Sequence, residues 1–290
     1  MSKITIVTDS DSSLPADLAG RYGICQVPIT VHFGAASFET GVDIDDAGLF
    51  ARVAQEGKLP TTSAPSPGQF IRVFQEALDA GAEAIVCVCV SAEISATYVA
   101  AVTASQQFPD REIKVVDSRT LSLAQGFMAL EAAQAVRDGA TADQAVARAI
   151  DLGKRSKLFG ALATLKYLAL SGRVGSLAAG MGALLQIKPI LTIQGGKLEM
   201  LEKVRTQKKS WSRLIELARE SLQEREIEKL AIIHTNVYDQ ARAFEAQVRA
   251  ALPCPDEVLI ADFTAGLAVH TGQGLMGLVY VAGKGDVQPA

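Results

Sequence analysis

Histidine is scarce in this 290-residue sequence: His32, His234 and His270 stand far apart, and no H-E-x-x-H pair occurs. A resident zinc needs clustered imidazoles, thiolates or carboxylates, so no metal ligands are expected. Cysteine is nearly as sparse. Cys25, Cys87, Cys89 and Cys254 form no disulfide framework. Cys87 and Cys89 sit two apart on one apolar run, where they could share a metal or be small core residues; no nearby His or acid completes a site. Positive charge is also short, with 28 Lys and Arg against 32 Asp and Glu and a formal net charge of −4. Nucleic acid is therefore not an expected partner, since phosphate-backbone binding relies on a basic excess. No apolar run is long enough to span a bilayer and no signal-peptide core precedes Ile4-Thr5-Ile6-Val7, so a cytoplasmic, reduced protein with at most peripheral and transient membrane contact is expected. A G-x-S-x-G nucleophile elbow and a Walker A lysine loop are missing too.

What is present is an alternation of short β-rich runs and helical patterns. Strands are expected at Ile4–Thr8, Cys25–Val31, Ala84–Val90 and Glu112–Asp117, and helices at Pro15–Tyr22, Asp46–Glu56, Pro67–Ala80, Ser95–Gln107 and Leu121–Arg137. This order predicts a parallel sheet covered by helices. Val31–Ile44, with Phe33-Gly34-Ala35-Ala36-Ser37-Phe38, reads as a small hairpin. A helix over Ala142–Lys154, capped by Thr141, leads into a second region. There Lys157–Thr164, Ile187–Gln194, Lys197–Val204, Leu230–Thr235, Val258–Asp262 and Leu275–Ala282 read as strands. Helices fall near Lys208–Glu224 and Asp239–Ala251. Gly195-Gly196 between two apolar runs is a hairpin signal, so this half should be α+β with a mixed or antiparallel sheet. The expectation is an α/β protein of two domains, 1–155 and 156–290.

Five hydroxyl- or glycine-rich segments lie at element ends, where α/β proteins place ligands. In Thr8-Asp9-Ser10-Asp11-Ser12-Ser13, Asp9 and Ser10 could touch a ligand, while Ser12 or Ser13 could cap the next helix. In Thr61-Thr62-Ser63-Ala64-Pro65-Ser66-Pro67-Gly68-Gln69, Ser66 and Gln69 fit a capping box with Pro67 at the first helical position. That leaves Thr61, Thr62 and Ser63 as candidate ligand contacts. Ser91 to Tyr98 follows a buried strand, and Ser95 could cap a helix whose first amides would welcome an anion. Ser118 follows the next strand. Finally, Ala268 to Gly277 holds His270, Thr271 and a formal G-x-G-x-x-G. That motif opens a strand instead of a helix, which argues against a dinucleotide. Together these segments suggest an acidic small ligand, bound and not transformed by this chain alone.

The ordered set Val7-Thr8-Asp9-Ser10, Thr62-Ser63-Ala64-Pro65-Ser66-Pro67-Gly68, Ser91 to Tyr98 and Val116-Asp117-Ser118 resembles the DegV family. The second half continues the likeness with Leu165-Lys166-Tyr167-Leu168, Ser171-Gly172-Arg173-Val174, Ile187-Lys188-Pro189-Ile190-Leu191, Lys203-Val204-Arg205-Thr206 and His270-Thr271-Gly272, covering roughly residues 3–283. The resemblance implies a two-domain protein holding a long-chain fatty acid in a tunnel between its domains. It also implies a non-catalytic role: presenting the carboxylate to a separate ATP-binding fatty-acid kinase subunit, which makes the acyl phosphate. Thr62 and Ser95 match the hydroxyls that hold the carboxyl group; Ser63 and Ser118 remain further candidates for ligand binding. His270 and Thr271 match head-group positions, and Arg173 and Arg205 match basic positions tied to phosphoryl transfer or kinase docking. No cofactor beyond the bound fatty acid is implied. Two residues depart from the family pattern, which usually has Gln at Ala64 and Gly at Ala96. The first removes a polar contact and the second narrows the loop beside Ser95.

The chemistry is coherent. Each buried methylene contributes roughly 0.8 kcal/mol, so a long tail dominates affinity, and Met181 to Leu185 with Ile190-Leu191 are candidate tail contacts or ordinary core. The carboxylate needs hydrogen bonds, and hydroxyls supply them without locking it in a tight ion pair. Two other readings stay open on sequence: a stand-alone lipid chaperone or sensor, and an acyl hydrolase using Ser95 with His270.

Overall fold

The computed structural model describes residues 3–173 and 187–284. Val174, Gly175 and the candidate tail segment Met181 to Leu185 lie outside them. The chain divides into two compact units. Unit 1 comprises Met1–Lys154, Gly195–Lys197 and Thr264–Val269; unit 2 comprises Arg155–Gln194, Leu198–Phe263 and His270–Ala290.

Unit 1 is built from β1 (Ile4–Asp9), α1 (Ala16–Tyr22), β2 (Ile24–Val27), β3 (Thr30–Phe33), β4 (Ala36–Glu39), α2 (Asp46–Glu56), β5 (Thr61–Ser63), α3 (Pro67–Asp79), β6 (Ala84–Cys89), α4 (Thr97–Ser105), β7 (Glu112–Asp117), α5 (Ser122–Arg137) and α6 (Ala142–Arg155), whose last residue belongs to unit 2. Strands β2, β1, β6 and β7 form, in that order, a wholly parallel sheet. Every residue of β6 is buried, which is why Ala84-Ile85-Val86-Cys87-Val88-Cys89 is apolar throughout instead of alternating. Cys87 and Cys89 lie 3.6 Å apart, Sγ to Sγ. They share a core with Val7, Ile85, Phe70, Phe74, Ala101 and Ala104. Helix α5 packs against β1 and β6 and is buried along most of its length.

The expected strand Cys25–Val31 is two strands. Pro28, which has no N–H for a ladder, separates β2 of the parallel sheet from β3 of a second, antiparallel sheet ordered β4-β3-β5. The hairpin read at Phe33–Phe38 is its β3–β4 turn, and Thr61–Ser63 is a strand where the sequence suggested a loop. The capping box of α3 forms as read: the Ser66 hydroxyl accepts from the Gln69 amide and the Gln69 side chain accepts from the Ser66 amide. Thr141 caps α6 in the same reciprocal way with Gln144. Neither Ser12 nor Ser13 caps α1. Its N-cap is Pro15 without a side-chain bond, and Ser10–Ser12 form a 3-10 turn capped by Asp9.

Unit 2 contains β8 (Ser156–Ala161), α7 (Lys166–Leu170), β9 (Lys188–Gln194), most of β10 (Lys197–Val204), α8 (Gln207–Leu222), β11 (Ile227–His234), α9 (Tyr238–Ala251), β12 (Leu259–Asp262) and β13 (Met276–Ala282). One six-stranded mixed sheet runs β10-β9-β8-β13-β11-β12, antiparallel at β9/β8, β8/β13 and β13/β11 and parallel at β11/β12. On one face Phe159, Ile190, Ile232, Leu278 and Tyr280 pack with Leu214 of α8 and Phe244 of α9. The Gly195-Gly196 turn joining β9 to β10 takes φ of 59° and 86°, the left-handed conformations such a turn needs. A last helix, α10 (Ala265–Thr271), contributes Ala265, Ala268 and Val269 to a unit 1 core with Val31, Phe33 and Leu49. Its final residues, His270 and Thr271, count with unit 2.

Candidate functional site

In unit 1 the carboxyl ends of β1 and β6 meet at a buried carboxylate. Asp9 is fully enclosed and accepts from the Asp11 amide at 3.0 Å, the Val90 amide at 2.8 Å and the Gln125 side-chain amide at 3.0 Å. Gln125, itself fully buried, also reaches Thr8 Oγ1 at 3.0 Å, while the Thr8 hydroxyl donates to the Val88 carbonyl at 2.8 Å. Burial raises the Asp9 carboxyl to about 6, against the lowering pull of its N–H donors. Sequence reasoning saw Asp9 as a loop residue near a ligand; the structure makes it the tie between β1, β6 and α5.

From Val90 onward the loop spends its amides internally. The Ser91 amide donates to the Thr120 carbonyl, that of Ala92 to Asp117 Oδ1, and that of Glu93 to Ser91 Oγ. The amides of Ile94 and Ser95 both donate to the Ser91 carbonyl. The Ser91 hydroxyl donates to the Gly196 carbonyl at 2.7 Å, and Arg119 donates to the carbonyl of Gly195. The expectation that Ser95 caps α4 is corrected. Its N-cap is Ala96, with no side-chain cap bond, and Ser95 Oγ instead meets Thr97 Oγ1 at 2.8 Å and the Thr97 amide at 3.3 Å. Ala96 is exposed with φ −74°, so its methyl strains nothing.

The three hydroxyls of β5 divide by strand alternation. Thr61 and Ser63 are exposed, and Ser63 Oγ bonds His32 Nε2 at 2.9 Å, whose Nδ1 meets Ser37 Oγ at 2.9 Å. Thr62 pairs with Val31 and turns to the other, half-buried face. Ser118 is nearly buried and committed to its own turn: its hydroxyl donates to the Thr120 carbonyl at 3.1 Å and accepts from the Thr120 amide at 3.2 Å.

In unit 2, His270 lies in the last turn of α10; the sequence suggested a glycine-rich loop. Burial and the positive charge of Arg173 lower its imidazole to about 4, so it is neutral at physiological pH. Next to it, the buried Thr271 hydroxyl has no hydrogen-bond partner among the described residues. Gly272 follows with φ +73°, packed so closely beneath the Tyr167 ring of α7 that a Cβ there would overlap it. Sequence reasoning missed Thr235, fully buried after β11, whose hydroxyl also lacks a partner among the described residues. Its backbone pairs with the Gly274–Leu275 segment just beyond Thr271. Arg173 is exposed and donates to the Ser171 carbonyl at 2.7 Å, and Arg205 is exposed between β10 and α8. Among the described residues no group of three or more His, Cys, Asp or Glu could hold a metal, and no helix is long and apolar enough to cross a membrane.

The model of the DegV family of uncharacterised proteins matches residues 3–283. The chain belongs to the DegV family. It is 36% identical over 276 residues to a DegV domain-containing protein of Streptomyces coelicolor, covering 95% of this chain and 97% of that one. A DegV family protein of Thermus thermophilus solved for its fatty-acid binding superposes with a TM-score of 0.90 at 33% identity, over 97% of this chain and 99% of the other. DegV of Bacillus subtilis, a fatty acid binding protein, gives 0.87 at 28% identity, over 98% and 100%. Both solved DegV proteins share the mixed α/β architecture described above.

Proposed function

We propose that this DegV chain binds a long-chain fatty acid and presents its carboxylate to an ATP-binding kinase subunit. What carries the reading is family membership over nearly the whole chain, with fatty-acid binding in two solved relatives of high structural similarity. Thr62 and Ser95 are the hydroxyls assigned to the carboxylate, with His270 and Thr271 as further contacts. A neutral imidazole can donate one hydrogen bond to a carboxylate without forming an ion pair, and the Thr271 hydroxyl, which has no partner among the described residues, is a donor suited to a ligand acceptor. Ser63 and Ser118 are the remaining ligand-binding candidates, and their hydroxyls are engaged in holding β5 and the Ser118 turn in place. Arg173 and Arg205 are the exposed cations assigned to phosphoryl transfer or docking. Such rim charges act mainly on association.

Two measurements test this. Gently purified protein should carry an extractable fatty acid and bind palmitate. Thr62→Val and Ser95→Ala should each weaken palmitate about 10-fold or more, the loss of a hydrogen bond to a charged group. A protein that neither carries nor binds any fatty acid sinks the whole reading. With the ATP-binding subunit added, Arg173→Ala and Arg205→Ala should reduce acyl-phosphate formation while palmitate affinity stays unchanged. Binding without any acyl-phosphate formation by the wild type would leave a lipid carrier with no kinase role.

A further inference from the structure

Thr97 is fully buried at the first position of α4, and its hydroxyl and amide both converge on Ser95 Oγ, at 2.8 and 3.3 Å. Among the described residues Ser95 is the hydrogen-bond partner of the Thr97 hydroxyl. A buried O–H without an acceptor is costly, so the Thr97 proton belongs on Ser95 Oγ. Ser95 then accepts twice from one residue, and its own proton has to point away from Thr97. Hydrogen bonds in a chain polarise one another, which makes the outward Ser95 O–H a stronger donor than an isolated serine. The amides of Val90 to Ser95 and the Ser91 hydroxyl donate to protein acceptors, which leaves the Ser95 O–H as the donor of this six-residue stretch directed elsewhere among the described residues.

We propose that Thr97 is a positioning residue that makes Ser95 an obligate outward donor, and thereby selects ligands whose head group only accepts, such as a carboxylate. The inference rests on the fatty-acid reading and adds a selectivity device to it. A carboxylate accepts through both oxygens. A fatty alcohol offers one oxygen and brings a proton of its own, so it gains less from a fixed donor.

The test compares palmitate with hexadecanol, which share a tail and differ in head group. In Thr97→Val the hydroxyl is replaced by a methyl of similar size, and palmitate should bind about 5- to 10-fold more weakly while hexadecanol changes less than about twofold. Thr97→Ser should restore palmitate affinity to within about twofold. In a Ser95→Ala background, Thr97→Val should have no further effect on palmitate, because the hydroxyl it orients is already gone. Thr97→Ala serves if the valine variant does not fold. Equal weakening of both ligands would mean a general packing role and overturn the proposal, as would wild-type palmitate affinity in Thr97→Val. Failure of the wild-type protein to bind palmitate at all would remove the parent reading, and this one with it.

Discussion

The chain ends of the two sheets handle polar groups in opposite ways. In unit 1, the β1/β6 end encloses a carboxylate and surrounds it with N–H donors, while the Gln125 carbonyl oxygen has no partner among the described residues. In unit 2, the region of β11, the last two residues of α10 and the loop into β13 buries the Thr235 and Thr271 hydroxyls without partners among the described residues, beside an imidazole that burial and Arg173 keep neutral. Saturated polar clusters fix loop geometry, whereas unfilled hydrogen-bond capacity is a stability cost that a ligand can relieve. The β1/β6 end has spent the donors around Asp9 on holding loops still, and the unit 2 region keeps two hydroxyls in reserve among the described residues.

The largest expected effect tests that contrast directly. Asp9→Leu strips the acceptor from the Val90 and Asp11 amides and the Gln125 side chain, each a buried donor worth about 1–3 kcal/mol when orphaned. Urea unfolding should show a loss of at least about 3 kcal/mol, with faster hydrogen exchange at the Val90 amide. Thr271→Val in unit 2 removes a hydroxyl that lacks a partner among the described residues, so its stability should stay within about 0.5 kcal/mol of wild type or rise, while palmitate affinity falls. A Thr271→Val protein destabilised as severely as Asp9→Leu would erase the distinction.

Next come two glycines, one counted with each unit. Gly196 (φ +86°) lies where a Cβ would meet Ser91 Oγ at 2.9 Å, and Gly272 (φ +73°) lies under the Tyr167 ring. Both positions share a left-handed penalty of about 1–2 kcal/mol for a residue with a side chain. They differ in what must move. A serine hydroxyl can rotate away, while a packed ring cannot, so Gly272→Ala should destabilise by about 1–3 kcal/mol more than Gly196→Ala. Tyr167→Ala should recover part of that difference in the Gly272→Ala background. No recovery would mean the backbone conformation, and not the ring, sets the cost.

Much of this was legible in the sequence, and the pattern of what was not is informative. The apolar run of β6, the Ser66/Gln69 capping box and the Gly195-Gly196 turn announce themselves because local chemistry alone dictates them. Strand β5 did not, since three hydroxyls in a row have no alternation to read; pairing with β3 and the His32–Ser63 bond define it. Helix α10 was hidden because its start packs on Val31, Phe33 and Leu49, residues distant in sequence, and the glycines after it suggested a loop. Candidate residues Thr62, Ser95 and His270 could be named, but their surroundings could not. Nothing local says that Ser63 is tied to His32, that Ser95 answers to Thr97, or that Asp9 is enclosed.

The smallest effect is a slope, and it joins the two regions in one measurement. In the folded chain Asp9 titrates at about 6, above the ordinary aspartate value of about 3.9. Between those values the native state holds a proton that the unfolded chain has released, so this group's contribution to stability falls as pH rises. His270 titrates at about 4, below the ordinary histidine value of about 6.5. Between those values the unfolded chain holds a proton that the native state lacks, so its contribution rises with pH. The two windows overlap from about pH 4 to 6, and there the opposed terms, each about 1.4 kcal/mol per pH unit, cancel. Removing one group exposes the other. Relative to wild type, Asp9→Asn should make global unfolding free energy climb more steeply with pH across that window, whatever its absolute loss, and His270→Gln should make it climb less or decline. The readout is the difference in slope, equivalent to about one proton in each direction, so other titrating groups common to all three proteins drop out. Slopes that shift the same way in both variants would show that the buried carboxylate and the neutral imidazole are not the opposed pair that their surroundings imply.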